Sequence, residues 1–393
     1  MLFLKLIKLD VSKLSGLTLI SLFTTIIMIS VGSIVRVTGH GLGCPDWPLC
    51  YGQAIPPLAD YSAWVEFSHR AIGVIVGIEF VLILLLVVKH YSHVKFLLFV
   101  AVLANILLVV QVVLGGIHVI LEIPPVTGWI HTGNAVLLVG LVSVIFSIVN
   151  SITPVNLLIV SKFVSKRLFV LFAGVSLIGL IFHMYLTEIL RESSSGICGS
   201  LNCDNILRWT SIFVPVSVSL LLLISLTYVI VGMVNRSRGL YFVFDNSVFY
   251  WLVSIAVVLL YSLLLSGSFV TRSGASLACL GFPLCGSESH GIRYLVDIQL
   301  LHRYLALVVG FMLLWIVWLC RVVLNGSFDY IGFSVVVLLV MQGALGAANV
   351  ILRIPMWSRV LHLTVGTSLW VCVCMLWTLL TIIKYKKNGI YNY

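Results

Sequence analysis

Gly32-Ser-Ile-Val-Arg-Val-Thr-Gly-His-Gly-Leu-Gly-Cys44-Pro-Asp-Trp-Pro-Leu-Cys50 has a second copy in the same chain. It reads Gly267-Ser-Phe-Val-Thr-Arg-Ser-Gly-Ala-Ser-Leu-Ala-Cys279-Leu-Gly-Phe-Pro-Leu-Cys285. The correspondence runs on: Ser68-His69-Arg70 answers Leu301-His302-Arg303, and Gln111-Val-Val-Leu-Gly-Gly116 answers Gln342-Gly-Ala-Leu-Gly-Ala347. Ile130-His131-Thr132 then answers Leu361-His362-Leu363. Between the copies the register shifts by only a few residues. An internal repeat of this length means the same architecture is built twice.

The repeated unit is woven through apolar tracts. Of 393 residues, 61% are hydrophobic and 9% charged, and the mean hydropathy is +1.18. A soluble domain is about a quarter charged, so that class is excluded, as are a disordered chain, a disulfide scaffold and a β-barrel porin. Tracts of about twenty apolar residues are long enough to cross the hydrocarbon core as helices. They lie near 15–36, 66–88, 96–120, 127–150, 168–188, 209–234, 247–270, 298–320, 330–352 and 360–383. Backbone groups in lipid must be satisfied within the segment, so these are helices despite their Val, Ile and Phe content. The sequence predicts an all-α polytopic membrane protein with ten spans.

The net charge of +10 does not point to nucleic acid, because of where the cations fall. Every lysine lies in the N-terminal arm (Lys5, Lys8, Lys13), in two connections (Lys89 and Lys95, Lys162 and Lys166) or in the tail (Lys384, Lys386, Lys387). Clustering in alternate loops is the positive-inside pattern, which puts both termini in the cytoplasm. The first apolar run, Leu14–Val35, is too long for the core of a cleavable signal. On this topology three close cysteine pairs lie in outer loops: Cys44 and Cys50, Cys198 and Cys203, Cys279 and Cys285. Disulfides persist on that side of a membrane, so three local bridges are expected. Cys320, Cys372 and Cys374 fall in or at the ends of spans and read as small buried hydrophobes.

Spans 1–4 thus duplicate spans 7–10, with an unmatched pair between. The even number of inserted spans keeps both copies in one orientation, as parallel repeats. The expected division is 1–150 for the N-terminal four-helix half, 151–240 for the inserted hairpin and 241–393 for the C-terminal half.

Four histidines occupy repeat-related places, His69 with His302 and His131 with His362, each about one turn inside the outer surface. One such histidine is ordinarily structural, and His118 and His183 read that way. Four related by duplication read as functional, since ionisable groups inside a membrane are expensive. Two imidazoles per half, with no carboxylate pair nearby, would hold zinc or copper poorly. Haem iron brings four nitrogens of its own and needs only two axial ligands. One haem site per half is the economical reading. Arg36, Arg70, Arg272, Arg303, Arg353 and Arg359 lie at the outer ends of these spans, placed for haem propionates.

The halves differ at one acid. Glu66 stands three residues before His69, on nearly the same helix face, and the matching residue before His302 is Gln299. That asymmetry suggests one reactive site and one electron-transfer site. Glu79, deeper in the same span and turned away from His69, reads as neutral or locally paired. The rival reading is a di-haem b-type electron carrier, which would need no acid beside either haem.

The run Arg36–Gly52, followed by Glu66-Phe-Ser-His69-Arg70 and Gly128-Trp-Ile-His131, resembles the haem A synthase family over roughly residues 15–150 and 247–385. The resemblance implies oxidation of the ring methyl at position 8 of haem O to a formyl group, giving haem A for terminal oxidases. It implies Glu66 as catalytic, His69 and His131 (with Arg36 and Arg70) at the substrate haem, and His302 and His362 (with Arg303) at a haem b cofactor. It also implies a disulfide between Cys44 and Cys50. Haem O synthase and terminal-oxidase assembly factors are the partners it suggests, with self-association left open. The family usually has eight spans, so the inserted pair is an addition. Its stretch 179–218, with Cys198 and Cys203, is faintly similar to the first half of a vitamin K epoxide reductase-like protein. Without that family's membrane Cys-x-x-Cys, it reads as a disulfide-braced hairpin.

Overall fold

A computed structural model describes residues 12–152, 247–283, 285, 292–323 and 329–387, with a few isolated residues between 174 and 181. The expected spans 168–188 and 209–234, and the pair Cys198 and Cys203, otherwise lie outside the described residues. Among these residues are eight long helices: α1 (Ser12–Val37), α2 (Tyr61–Tyr91), α3 (Lys95–Ile120), α4 (Pro125–Ile152), α5 (Ser247–Arg272), α6 (Arg293–Val323), α7 (Asp329–Ile351) and α8 (Met356–Lys387). All eight are long and apolar enough to cross a membrane. They coincide with the first four and last four spans read from the sequence, and the chain is a polytopic all-α membrane protein.

Two compact units divide the fold. The first holds α1–α4, α5 as far as Ser268 and α8 from Trp370. Within it α1 packs on α2 and α4, α2 on α3, and α3 on α4. Indole N–H groups tie the late helices to α4: Trp370 donates to the Val136 carbonyl at 2.9 Å, and Trp129 to that of Leu265 at 3.0 Å. A polar side chain buried in this unit is costly unless it finds a partner. The Thr24 hydroxyl of α1 donates to Glu79 of α2, an acid expected to be neutral or locally paired. The second unit holds the end of α5, α6, α7 and α8 as far as Leu369, with α6 packed on α7. Cys320, Cys372 and Cys374 are buried free thiols.

The duplication reaches the backbone of the connections. Between α3 and α4 the chain turns through Glu122 and Ile123 at φ 57° and 54°. Between α7 and α8, Arg353 and Ile354 do so at φ 57° and 54°. A left-handed conformation costs a residue with a Cβ roughly 1–2 kcal/mol, so both turns need compensation. It comes from one hydrogen bond in each copy, Ile123 N–H to the His118 carbonyl at 2.7 Å and Ile354 N–H to that of Asn349 at 2.6 Å. A side-chain clasp adds to it: His118 Nδ1 lies 2.7 Å from Thr127 Oγ1, and the Ser358 hydroxyl donates to Asn349 Oδ1 at 2.6 Å.

Candidate functional site

In the first unit the site begins at the start of α2. Asp60 caps the helix by accepting from Ala63 N–H at 3.0 Å, satisfying one of the amides a helix start leaves open. The cap fixes the start of the helix, which places Glu66, His69 and Arg70 in its second and third turns. Glu66 is only 4% exposed. Its Oε2 accepts from Cys44 N–H at 2.9 Å, and its Oε1 accepts from Arg70 Nε at 3.2 Å and Nη2 at 2.5 Å. Arg70 then reaches the loop: Nη1 donates to the carbonyls of Asp46 (3.0 Å) and Leu49 (2.7 Å), and Nη2 to that of Cys44 (3.3 Å).

That loop is closed by the Cys44–Cys50 disulfide, Cα–Cα 4.7 Å. Asp46 braces its exit, accepting from Tyr51 N–H at 2.6 Å and Gly52 N–H at 2.7 Å. These bonds, Gly52's foremost, hold the Asp46 carboxyl below its usual 3.8. From the middle of the loop the Trp47 indole lies flat on α3, where a Cβ on Gly116 would meet three ring atoms at 2.9–3.1 Å. The loop is therefore fastened to α2 through Glu66 and Arg70 and to α3 through Trp47.

Glycines make room for the histidine rings. A Cβ on Gly32 would stand 2.8 Å from His69 Cε1, and one on Gly115 would stand 3.3 Å from His131 Cε1. His131 Nε2 lies 3.1 Å from Gln111 Nε2, and Gln111 Oε1 accepts from Asn134 Nδ2 at 2.8 Å. His118 stacks on His131, centroids 6.4 Å apart and planes 14° from parallel. Arg36 lies in the last turn of α1.

The second unit repeats the plan with neutral substitutions. Cys279 and Cys285 form a disulfide, Cα–Cα 4.8 Å. Arg303 donates to the carbonyls of Gly281 (2.7 Å), Pro283 (2.9 Å) and Cys279 (2.9 Å). Gln299, in the place of Glu66, donates to the Ser276 carbonyl at 3.1 Å. His362 Nε2 lies 3.3 Å from Gln342 Nε2, and a Cβ on Gly346 would stand 3.4 Å from His362 Cε1.

His69 Nδ1 and His362 Nδ1 are buried with no hydrogen-bond partner, although buried ring nitrogens ordinarily find one. His69, His131 and His362, each set against a glycine, fit ligation of a planar macrocycle whose metal needs only axial ligands. Among the described residues no group of three or more His, Cys, Asp or Glu is gathered as a bare-metal site.

Sequence reasoning singled out the histidines and Glu66, and the two described cysteine pairs it expected to bridge do so, but it missed the neighbours that hold Glu66 and His131. Arg70 and Arg303, read as placed for propionates, direct donors to loop carbonyls, and Arg70 to Glu66 as well. Gln111 and Gln342 were visible as matched positions without a role. His118, read as structural, does clasp a turn, and it also stacks on His131.

A family model described as COX15-CtaA, cytochrome oxidase assembly protein, matches residues 15–63 and 211–374, more than half of the chain. The chain belongs to this family. The Heme A synthase of Bacillus licheniformis is 22% identical over 383 residues, covering 95% of this chain and 98% of the relative. The Heme A synthase of Bacillus cereus (strain AH187) is 33% identical over 118 residues, 30% of this chain and 38% of the relative. That of Bacillus anthracis (strain A0248) matches to the same extent. The chain is thus similar to one Heme A synthase over 95% of its length and to the two others over 30%.

Proposed function

We propose that the protein is a haem A synthase, an oxidoreductase that converts the ring methyl of haem O to a formyl group. The observation that carries this reading is the buried Glu66, tied to Cys44 N–H and Arg70 in one unit and replaced by Gln299 in the other. A pure electron carrier has no use for that difference.

In this reading the first unit takes the substrate haem between His69 and His131, and the second holds haem b through His302 and His362. Haem b there would supply one-electron transfer. Glu66 lies one turn before His69 and serves as proton acceptor while the methyl carbon loses hydrogen. As a carboxylate it also orients a water and stabilises positive charge developing at the porphyrin edge. Arg70 fixes the carboxylate in place and leaves Oε2 on the Cys44 amide. The disulfide loop covers this end of the unit and limits access of bulk water. Arg36, in the last turn of α1, is the group assigned to a propionate. The lysine pattern supports cytoplasmic termini, with both haem sites toward the opposite face. Haem O synthase and oxidase assembly factors are the natural neighbours of such a step.

Pigment analysis tests the reading. In cells lacking any other haem A synthase, the chain should yield haem A, and the purified protein should carry haem b with haem O or haem A. Glu66→Gln should keep haem b and folding but lose at least 90% of haem A formation, with haem O accumulating. Haem b alone in the native protein, or full haem A yield from Glu66→Gln, would overturn it.

A further inference from the structure

The two Gln–His contacts are repeat-related, yet they are not anchored alike. In the first unit Gln111 is held at both ends. Its Oε1 accepts from Asn134 Nδ2 at 2.8 Å, and the same Asn134 amide donates to the Leu107 carbonyl at 2.9 Å. With Oε1 committed as acceptor, the Nε2 end of Gln111 is a donor, and His131 Nε2 must receive it. The lone pair that would ligate an axial metal is therefore engaged by a fixed amide.

In the second unit the residue matching Asn134 is Val365, fully buried and without a donor. Gln342 Oε1 accordingly has no hydrogen-bond partner. Only the contact of Gln342 with His362 Nε2, at 3.3 Å, engages its amide. Nothing fixes which end of that amide faces the imidazole, and turning it away breaks no second bond.

We propose that Asn134 is a positioning residue that locks Gln111 onto His131 Nε2, so that the first unit holds haem reversibly. Val365, by leaving Gln342 unanchored, lets the second unit hold haem durably. Displacing Gln111 breaks a coupled pair of hydrogen bonds, whereas displacing Gln342 breaks one. The inference rests on the reading of the first unit as the substrate site, where haem must arrive and leave, and of the second as the resident site. It supplies a local cause for that difference, acting through Gln111 and Gln342 and independent of Glu66.

The test uses the full-length protein in detergent, loaded with ferric haem b, with haem loss followed optically into an excess of a scavenging apoglobin. Two phases are expected, a fast one removed by His131→Ala and a slow one removed by His362→Ala. Asn134→Val, which inserts the second unit's own residue, should slow the fast phase by roughly three- to tenfold, the worth of one buried hydrogen bond. Val365→Asn should accelerate the slow phase by a similar factor. Asn134→Thr, close to Val in shape but carrying a donor, should stay nearer the native rate than Asn134→Val. A fast phase unchanged or quickened in Asn134→Val overturns the lock. Asn134→Val is sufficient by itself if Val365→Asn does not fold. Absence of haem binding at either histidine pair would instead overturn the two-site reading, which keeps the failures apart.

Discussion

A methyl group on Gly32 would sit 2.8 Å from His69 Cε1, closer than real Cβ contacts, while those on Gly115 and Gly346 would sit 3.3 and 3.4 Å from their rings. Alanine scanning of the three should therefore give a graded result. Gly32→Ala should displace the His69 ring at a cost of about 1–3 kcal/mol and weaken haem binding in the first unit. Gly115→Ala and Gly346→Ala should have smaller effects, measured by haem titration of each purified variant. Equal losses at all three would show that crowding at Cε1 is not the cause. Arg70 makes a second argument at this scale. Arg70→Lys keeps the charge but loses the fork that binds Glu66 and three loop carbonyls together. The Cys44–Cys50 disulfide should then react faster with a phosphine reductant, while Cys279–Cys285 keeps its native rate.

The capped start of α2 and the loop before it act as one element. Asp60→Ala removes the cap, at about 1 kcal/mol, and also the acceptor for the Tyr51 hydroxyl at 3.1 Å. Amide exchange should rise at the first turn of α2 and in the loop, and α4 should not change. The Asp46 clasp has a predictable pH dependence. Its folded carboxyl is held below 3.8 by the Gly52 and Tyr51 amides. The clasp is therefore complete above the ordinary value and is lost as pH falls through the lowered one. Exchange protection of the Tyr51 and Gly52 amides should persist at pH 4 and vanish only in stronger acid. The elements themselves were legible in the sequence, because twenty-residue apolar tracts admit only helices in lipid. The histidines were legible because duplication marks them. Neighbours such as Gln111 to His131 were not, since spacing along one helix says nothing about which residue of another helix meets it. Nor could spacing show that Arg70 turns toward loop carbonyls at Cys44, Asp46 and Leu49.

At the scale of the molecule, the two units predict separable pigments. His302→Ala or His362→Ala should remove most tightly held low-spin haem b, leaving uptake at the first unit intact by difference spectroscopy. Retention of full haem b in both variants would refute the assignment of that unit. The duplication also explains why the asymmetries are informative. Glu66 against Gln299, Asn134 against Val365 and His118 against Asn349 are comparisons made within one chain, where temperature, lipid and expression are shared. In each pair the first unit carries the more polar or titratable member. The left-handed turns that follow His118 and Asn349 have the same φ values in both copies.

The seat of Trp47 on Gly116 has an evolutionary corollary. The second copy carries Phe282 and Ala347 at these places, a smaller ring with a larger floor. Trp47 is matched to Gly116 and not to an alanine there, because a Cβ at position 116 would meet the indole at 2.9 Å. Tandem duplicates are prone to gene conversion, which overwrites a tract of one copy with the other. A conversion tract that carried Ala347 into the first copy without Phe282 would wedge the loop off α3. Recombinants of this kind should be purged, so the mismatch acts as a barrier that keeps the two halves from being homogenised back into one sequence.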